Sequence, residues 1–138
     1  MICMVYISSA KLGLTESEII NIVEDARINN EKSDITGLLL FNKGNFMQLV
    51  EGHAPTVEAL YEKIRQDNRH TEVKLLLKEA ITHRNFSTWT MGFRNIEKLK
   101  KINPETLNLF LEDDLNLSIY QQNPYRALQF LETFKRIV

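Results

Sequence analysis

The sequence predicts an α+β fold in which one β-sheet packs against helices. Several short runs of Ile, Val, Leu and Phe have the length of strands, and other segments repeat apolar residues at helical spacing. Residues that favour helix starts precede those segments, and Gly, Asn and Pro separate them from the strands. With 138 residues, 43% of them hydrophobic and 25% charged, the chain is large enough for one domain with its own core.

The N-terminal third contains a strand and then a helix. Residues 2–9, rich in Ile, Val, Met and Tyr, form the first strand. A capping box at Thr15-Glu16-Ser17-Glu18 begins the first helix, because the Thr hydroxyl and the second Glu carboxylate bind amides that lack helical partners. Apolar positions at helical spacing then continue to about Asn29, where we expect the helix to end.

A hairpin, a second helix and two more strands follow. Residues 34–41 and 45–51 are strands joined by a tight turn in which Gly44 takes a positive φ. Pro55 lies in the first turn of the second helix. Residues 72–81 and 88–94 complete the order βαββαββ, which is that of a ferredoxin-like sandwich with an added edge strand.

Two additional C-terminal helices are expected after the sheet. Asn103-Pro104 and Asn123-Pro124 are both N-cap and first-turn pairs. Because the strands are apolar on both faces, the first two helices can cover one face and the last two the other. The apolar stripes of the last two helices are Leu107, Phe110 and Leu111 in one, and Ala127, Leu128, Leu131 and Phe134 in the other.

Composition excludes several functions. Seventeen basic and eighteen acidic residues are mixed along the chain, which argues against a nucleic-acid-binding surface. No apolar run approaches the ~20 residues of a membrane span, so no membrane association is expected. The single cysteine, Cys3, cannot form an internal disulfide and is expected to be a buried thiol. These features predict a cytoplasmic protein.

Enzymatic motifs are absent from the sequence. The three histidines, at positions 53, 70 and 83, lack metal-binding spacing, so we expect surface roles for them and no metal site. Nucleotide-binding and nucleophile motifs such as GxGxxG, Walker A and GxSxG do not occur. An acylphosphatase-like hydrolase is the best enzymatic alternative on this fold, but it needs a glycine-rich anion loop with an arginine, which residues 8–13 do not provide.

Polar side chains stand where the strands require apolar ones. The alternation of residues 45–51 puts Gln48 on the same face as Phe46 and Val50, and a buried amide without partners costs a few kcal/mol. Tyr6 in the first strand poses the same problem, and Asn29-Asn30 place two more amides at the end of the first helix. Buried polar groups that converge on one place indicate a ligand.

In order and spacing, these residues resemble the BLUF family of flavin-using blue-light receptor domains. The similarity rests on Tyr6, Asn29-Asn30, residues 35–39 and 46–52, and on two later landmarks at residues 67–70 and 89–93. It covers roughly residues 1–95, which we expect to form the flavin-binding core. Residues 96–138 carry no comparable signature and are expected to form a helical extension that packs on the sheet.

The resemblance implies a non-covalent flavin, expected to be FAD, although no motif excludes FMN or riboflavin. Ile22 and Ile64 would sandwich the isoalloxazine ring; the alternative for both is ordinary core packing. Asn30 would pair with N3–H and the C4 carbonyl, and Asn29 with the C2 carbonyl, although an Asn pair also terminates helices readily. The other expected contacts are Asp67 and Arg69 near the C2 side and ribityl chain, Lys63 (or Arg65) near phosphate, and Ser8 and Phe46 in the first and third strands.

The resemblance also implies a photochemical switch rather than an enzyme. Tyr6 would give an electron and then a proton to the excited flavin through Gln48. After radical recombination a rearranged Gln48 amide would strengthen the bond to the C4 carbonyl and red-shift absorption. Trp89 and Met91, which we expect to share a face of the fifth strand, would carry the signal to the last two helices. Edge-strand packing is the alternative role for Trp89.

Without an output domain in the sequence, the expected output is a light-dependent contact with a protein partner. The amphipathic C-terminal helices favour self-association, so we expect a homo-oligomer. The alternative is a light-insensitive ferredoxin-like interaction module that has lost its flavin. The presence of Tyr6, Asn30 and Gln48 together argues against that alternative, because each costs stability when buried.

Overall fold

The computed structural model describes residues 1–42, 44–95, 122, 125, 127–129 and 131–132. Its first 95 residues form five strands and two helices in the predicted order, so the α+β fold class is confirmed. The bounds are β1 Ile2–Ala10, α1 Glu16–Ser33, β2 Thr36–Asn42, β3 Asn45–Gly52, α2 Ala54–Gln66, β4 His70–Ala80 and β5 Gly92–Asn95.

The sheet has the strand order β4-β1-β3-β2-β5. The first four strands pair antiparallel, as in a ferredoxin-like sandwich, and β5 adds to the edge parallel to β2. β1 lies between β4 and the central strand β3, so both of its edges are hydrogen-bonded, and the two apolar clusters cover its faces. This central pairing determines which side chains of β1 and β3 meet.

Helix α1 begins as predicted but ends later than expected. The Glu18 amide donates to the Thr15 hydroxyl over 3.2 Å. The Thr15 hydroxyl in turn donates to the Glu18 carboxylate, where a capping box has that carboxylate accept from the backbone amide of the cap residue. The helix continues to Ser33, and Asp34 ends it in the left-handed conformation with φ of 53°. Asn29 and Asn30 therefore lie inside the last turns of the helix, and the prediction that they terminate it is wrong.

Two apolar clusters lie on opposite faces of the sheet. The first, on the face covered by α1 and α2, contains Ile22, Leu39 and Phe46 among others. The second, on the other face, contains Cys3, Ile7 and Met47. Ala127 and Leu131 are buried in this second cluster, in agreement with the predicted fourth helix. The predicted third helix and Phe134 lie outside the described residues.

The fifth strand is shorter than predicted, and the Trp89 and Met91 side chains therefore lie in different places from those expected. Residues 88–91 precede β5, because the Trp89 amide bonds the Phe86 carbonyl in a turn. Trp89 then packs on the second cluster and Met91 in the first, so the expectation that they share a face of the strand is wrong. The Trp89 ring packs so closely on Gly92 that a Cβ atom at this position would lie 2.2 Å from a ring carbon.

A buried carboxylate fixes the segment that leads into this turn. Glu51 in β3 is 0% exposed and accepts hydrogen bonds from the backbone amides of Asn85 and Phe86, at 2.8 and 2.6 Å. The Thr36 hydroxyl donates to the same carboxylate, and the Arg84 guanidinium donates to the Glu51 carbonyl. Each donor offsets part of the cost of burying the charge. The start of this segment is thereby anchored to β3, three residues from Gln48.

Among the described residues, no helix combines the length and the apolar character that crossing a membrane would require. Helices α1 and α2 cover one face of the sheet and carry polar residues on their outer sides.

Cys3 provides a test of the second cluster. Burial, and then the negative charges of Glu51, Glu79 and Glu132, raise the pKa of the thiol to about 12. At pH 8 we expect Cys3 to react with a disulfide reagent about a thousandfold more slowly than an ordinary thiol, because only the thiolate attacks. A Ser87→Cys variant, whose new thiol would be exposed, supplies the control in the same fold. Equal rates for the two thiols would contradict this packing.

Candidate functional site

A cleft lies between α1, α2 and the face of the sheet that these helices cover. It holds about 610 Å³, counting its open mouth. Its floor is formed by Tyr6, Leu39 and Gln48, which come from three neighbouring strands. The rest of the lining consists of Ile22, Asp25, Ala26, Asn29 and Asn30 from α1, Leu60, Lys63 and Ile64 from α2, and Asp67, Arg69 and His70. The cleft thus collects nine of the eleven side chains predicted to contact the flavin or to take part in its photochemistry; the two that do not line it are Ser8 and Phe46.

Tyr6 is the most deeply buried polar group of the floor. Its side chain is 0% exposed, and its hydroxyl has no hydrogen-bond partner among the described residues. The Asn42 amide shares that property but belongs to the opposite face of the sheet. Burial, followed by the proximity of Tyr61 and Asp67, raises the pKa of Tyr6 well above its usual value. Tyr6 is therefore a neutral phenol with a proton available for a ligand.

Gln48 lies directly opposite Tyr6 in the β1–β3 ladder. Side chains in such a pair stand about 5 Å apart at Cβ on the same face of a sheet. Gln48 is 5% exposed, and its Nε2 donates to the Met91 sulfur over 3.3 Å. Because a thioether is a weak acceptor, this amide can exchange its partner for a stronger one at small cost.

The two asparagines of α1 line the cleft in different ways. Asn30 is 2% exposed, and its Nδ2 donates to the Thr90 carbonyl over 2.9 Å. One amide hydrogen and the Oδ1 lone pairs remain beyond that bond, which is the pattern that pairs with an imide edge. Asn29 is exposed at the rim.

Charged residues surround the mouth. Arg69 donates to Asp67 through two nitrogens, the shorter contact being 2.7 Å, and to Asp25 over 3.1 Å. The hydrogen bond from Arg69 lowers the pKa of Asp67, which is therefore ionised at neutral pH. Lys63 lines the mouth from the exposed side of α2. The mouth thus carries two cationic side chains, Lys63 and Arg69, and two carboxylates, Asp25 and Asp67, with Arg69 paired to both carboxylates.

Ser8 and Phe46 do not line the cleft; they pair with each other on the same face of the sheet, two residues along from Tyr6 and Gln48. The Ser8 hydroxyl hydrogen-bonds His70 Nδ1 over 3.0 Å, and the Phe46 ring stacks against the His70 ring at 4.9 Å between centroids. His70 itself is 9% exposed and lines the cleft, so the prediction of a surface role for it is wrong. Burial lowers the pKa of His70 and favours the neutral imidazole. Its place directly after Arg69, at the first residue of β4, is the signal that could have identified it.

The lining fits a planar aromatic ligand with an imide edge and a polar tail. The side chains of Ile22, Leu39, Leu60 and Ile64 supply apolar walls, while the amides and the Tyr6 phenol supply donors and acceptors on one side. Among the described residues there is no group of three His, Cys, Asp or Glu side chains that could hold a metal ion.

Tyr6→Phe tests the buried, unpartnered hydroxyl. We expect the ligand-free chain to gain about 1 kcal/mol in its free energy of unfolding, because a buried hydroxyl without a partner is removed while the ring still packs. Tyr61→Phe is the control, since its ring lies 5.6 Å from that of Tyr6 but its side chain is only half-buried. Denaturant unfolding measures both. A Tyr6→Phe variant less stable than Tyr61→Phe would contradict the environment described for Tyr6.

Comparison with known proteins identifies the family. A family model described as sensors of blue-light using FAD, named BLUF, matches residues 1–92. The chain is 30% identical over 139 residues to the blue light- and temperature-regulated antirepressor BluF of Escherichia coli K12, covering 95% of this chain and 32% of that protein. It is 38% identical over 88 residues to photoactivated adenylate cyclase subunit alpha of Euglena gracilis, covering 64% of this chain and 9% of that protein.

A solved structure agrees with the sequence matches. The photo-activated state of BlsA superposes with a TM-score of 0.77 at 28% identity, covering 95% of this chain and 94% of BlsA. The chain spans only a small part of both curated relatives, which include a cyclase subunit and a regulator. Since the family model matches well over half of the residues and the fold agrees, the chain belongs to the BLUF family of blue-light sensors that use FAD.

Proposed function

We propose that this chain senses blue light through a non-covalently bound FAD, with Tyr6 and Gln48 as its photochemical pair. The observation that carries the proposal is the juxtaposition of the two side chains on the cleft floor. Tyr6 is fully buried and its hydroxyl has no hydrogen-bond partner among the described residues, and Gln48 stands opposite it with its Nε2 donating to the Met91 thioether. In a sheet with a purely structural role, two such buried polar groups side by side would lower the stability of the fold without a compensating gain.

The flavin ring would lie between Ile22 and Ile64, with its imide edge against the amides of Asn29 and Asn30. Arg69, oriented by Asp67, would donate to the C2 side and the ribityl chain. Lys63 would meet the phosphates, since it lines the mouth where the tail leaves. Ser8 and Phe46 would act through His70, which they hold in the cleft wall.

Bound flavin would supply absorption of blue light and an excited state able to accept an electron. Tyr6, neutral in the dark, would give up an electron, and its oxidised phenol would release the Oη proton to Gln48. Because Gln48 both donates and accepts, it would relay this proton toward the flavin; the electron and the proton would then both return to Tyr6, leaving the Gln48 amide rearranged. The rearranged amide would leave the Met91 sulfur, which ties the photochemistry to the segment before β5.

The output would be a contact with a protein partner, with no reaction catalysed by this chain. Residues 1–95 would form the sensor, and residues 96–138 would extend it and pack on the second cluster, as Ala127 and Leu131 do. Loss of the Gln48–Met91 contact would shift the segment that carries Trp89, whose ring lies in that same cluster. Self-association is the simplest such contact. A light-insensitive interaction module is the second candidate, favoured only if flavin does not bind.

Gln48→Ala tests the proposed pair. We expect the variant to bind flavin, because the ring is held by other side chains, but to lose the whole light-induced red shift, because no amide remains to rearrange. Visible absorption in the dark and after blue light measures this. Asn45→Ala, which removes another amide from the same strand, is the matched control and should keep the shift. A red shift of normal size in Gln48→Ala would overturn the proposed role of Gln48.

A further inference from the structure

Three consecutive backbone carbonyls before β5 are each held by a different donor. The Trp89 carbonyl accepts from the Gly37 amide of β2 over 2.9 Å. The Thr90 carbonyl accepts from Asn30 Nδ2 over 2.9 Å, and the Met91 carbonyl accepts from Arg27 Nε over 3.1 Å. Arg27 and Asn30 lie three residues apart and so share one face of α1. Two of the three bonds therefore join this segment to the helix that borders the cleft.

These bonds determine which side chain of the segment reaches the cleft floor. Met91 is 2% exposed and contacts Gln48, whereas Trp89 packs on the opposite face of the sheet. Exchanging the two side chains would require the segment to move by two residues relative to α1 and β2. The carbonyl bonds would have to break for that to happen. The contact between Met91 and Gln48 therefore depends on these carbonyl hydrogen bonds.

Arg27 differs from Asn30 in what else it does. Asn30 lines the cleft and is expected to bind the ligand, so its bond to Thr90 cannot be separated from ligand binding. Arg27 lies outside the lining; its guanidinium is oriented by an ion pair with Glu24 at 2.8 Å and is half-exposed, at 46%. The planar guanidinium can bind the Glu24 carboxylate through one nitrogen and the Met91 carbonyl through another at the same time.

We propose that Arg27 is a positioning residue that holds Met91 against Gln48 through its hydrogen bond to the Met91 carbonyl. Its consequence for a photocycle rests on the proposed function, but the contact itself is a property of the chain alone. Loss of this bond frees the last carbonyl of the segment, so the segment samples other arrangements more often and Met91 leaves Gln48 more readily.

The chain contains one tryptophan, Trp89, which lies two residues from the bond and reports on the segment directly. We expect Arg27→Ala to raise the acrylamide quenching constant of Trp89 fluorescence about twofold in the full chain kept in darkness, because a less restrained segment exposes its ring more often. In the flavin-bound chain we expect the same variant to change the rate of dark recovery several-fold while leaving the dark spectrum unaltered.

The chain offers two matched controls. Compared in the ligand-free chain, where a contact with phosphate plays no part, Arg65→Ala removes an ion pair of the same i,i+3 type on α2, with a distance of 2.9 Å and similar exposure; among the described residues Arg65 makes no hydrogen bond to the segment. Glu24→Ala removes the ion pair of Arg27 and keeps its Nε donor. We expect both controls to leave quenching close to that of the parent chain, which would separate the carbonyl bond from the surface charge pair.

The outcomes distinguish this proposal from the proposed function. If Arg27→Ala quenches as Arg65→Ala does, the positioning role is overturned, whether or not the parent chain responds to light. If Glu24→Ala raises quenching as much as Arg27→Ala, the ion pair and not the carbonyl bond holds the segment, and the proposal also fails. A parent chain without a light-induced shift would defeat the proposed function, while the quenching comparison would still decide the role of Arg27.

Discussion

The pairing of β1 with β3 is the constraint on which the site depends. Its register sets Tyr6 opposite Gln48 and directs both side chains toward the helices. A one-residue slip of β1 would turn Tyr6 to the other face of the sheet, into the cluster that contains Cys3 and Met47, and would separate it from Gln48. Such a slip is resisted because it would break the packing of both clusters, in which residues of both strands are buried. The same pattern that folds the sheet therefore assembles the photochemical pair.

The cleft combines groups that lower the stability of the protein with groups that fix its geometry. A buried phenol without a partner and an amide held by sulfur are unfavourable in a ligand-free core. Strong interactions surround them. The Glu51 carboxylate accepts hydrogen bonds from two backbone amides of the incoming segment and from the Thr36 hydroxyl, and Arg69 is paired with Asp67 at the mouth. Rigid surroundings with a weakly bonded centre favour a switch, because the centre can rearrange while the walls remain in place.

Sequence reasoning predicted the sheet because its signals are local. Strand alternation, the Thr15 cap and Pro55 depend on neighbours in the chain, and the structure confirms them. It placed the end of α1 too early, because Asn favours helix ends but here its amides are used for tertiary contacts. It missed the burial of His70 and the division of Trp89 from Met91, since both depend on bonds to residues far along the chain, such as Ser8 and Gly37. The roles of the individual flavin contacts stay predictions.

The measurement that tests the central claim most directly is the visible absorption spectrum of the purified chain, recorded in darkness and immediately after blue light. A flavin spectrum that shifts to longer wavelength on illumination and returns in the dark is the result that a Tyr6–Gln48 switch predicts. A colourless protein that stays colourless after incubation with FAD would contradict it. The cleft would then belong to a light-insensitive interaction module.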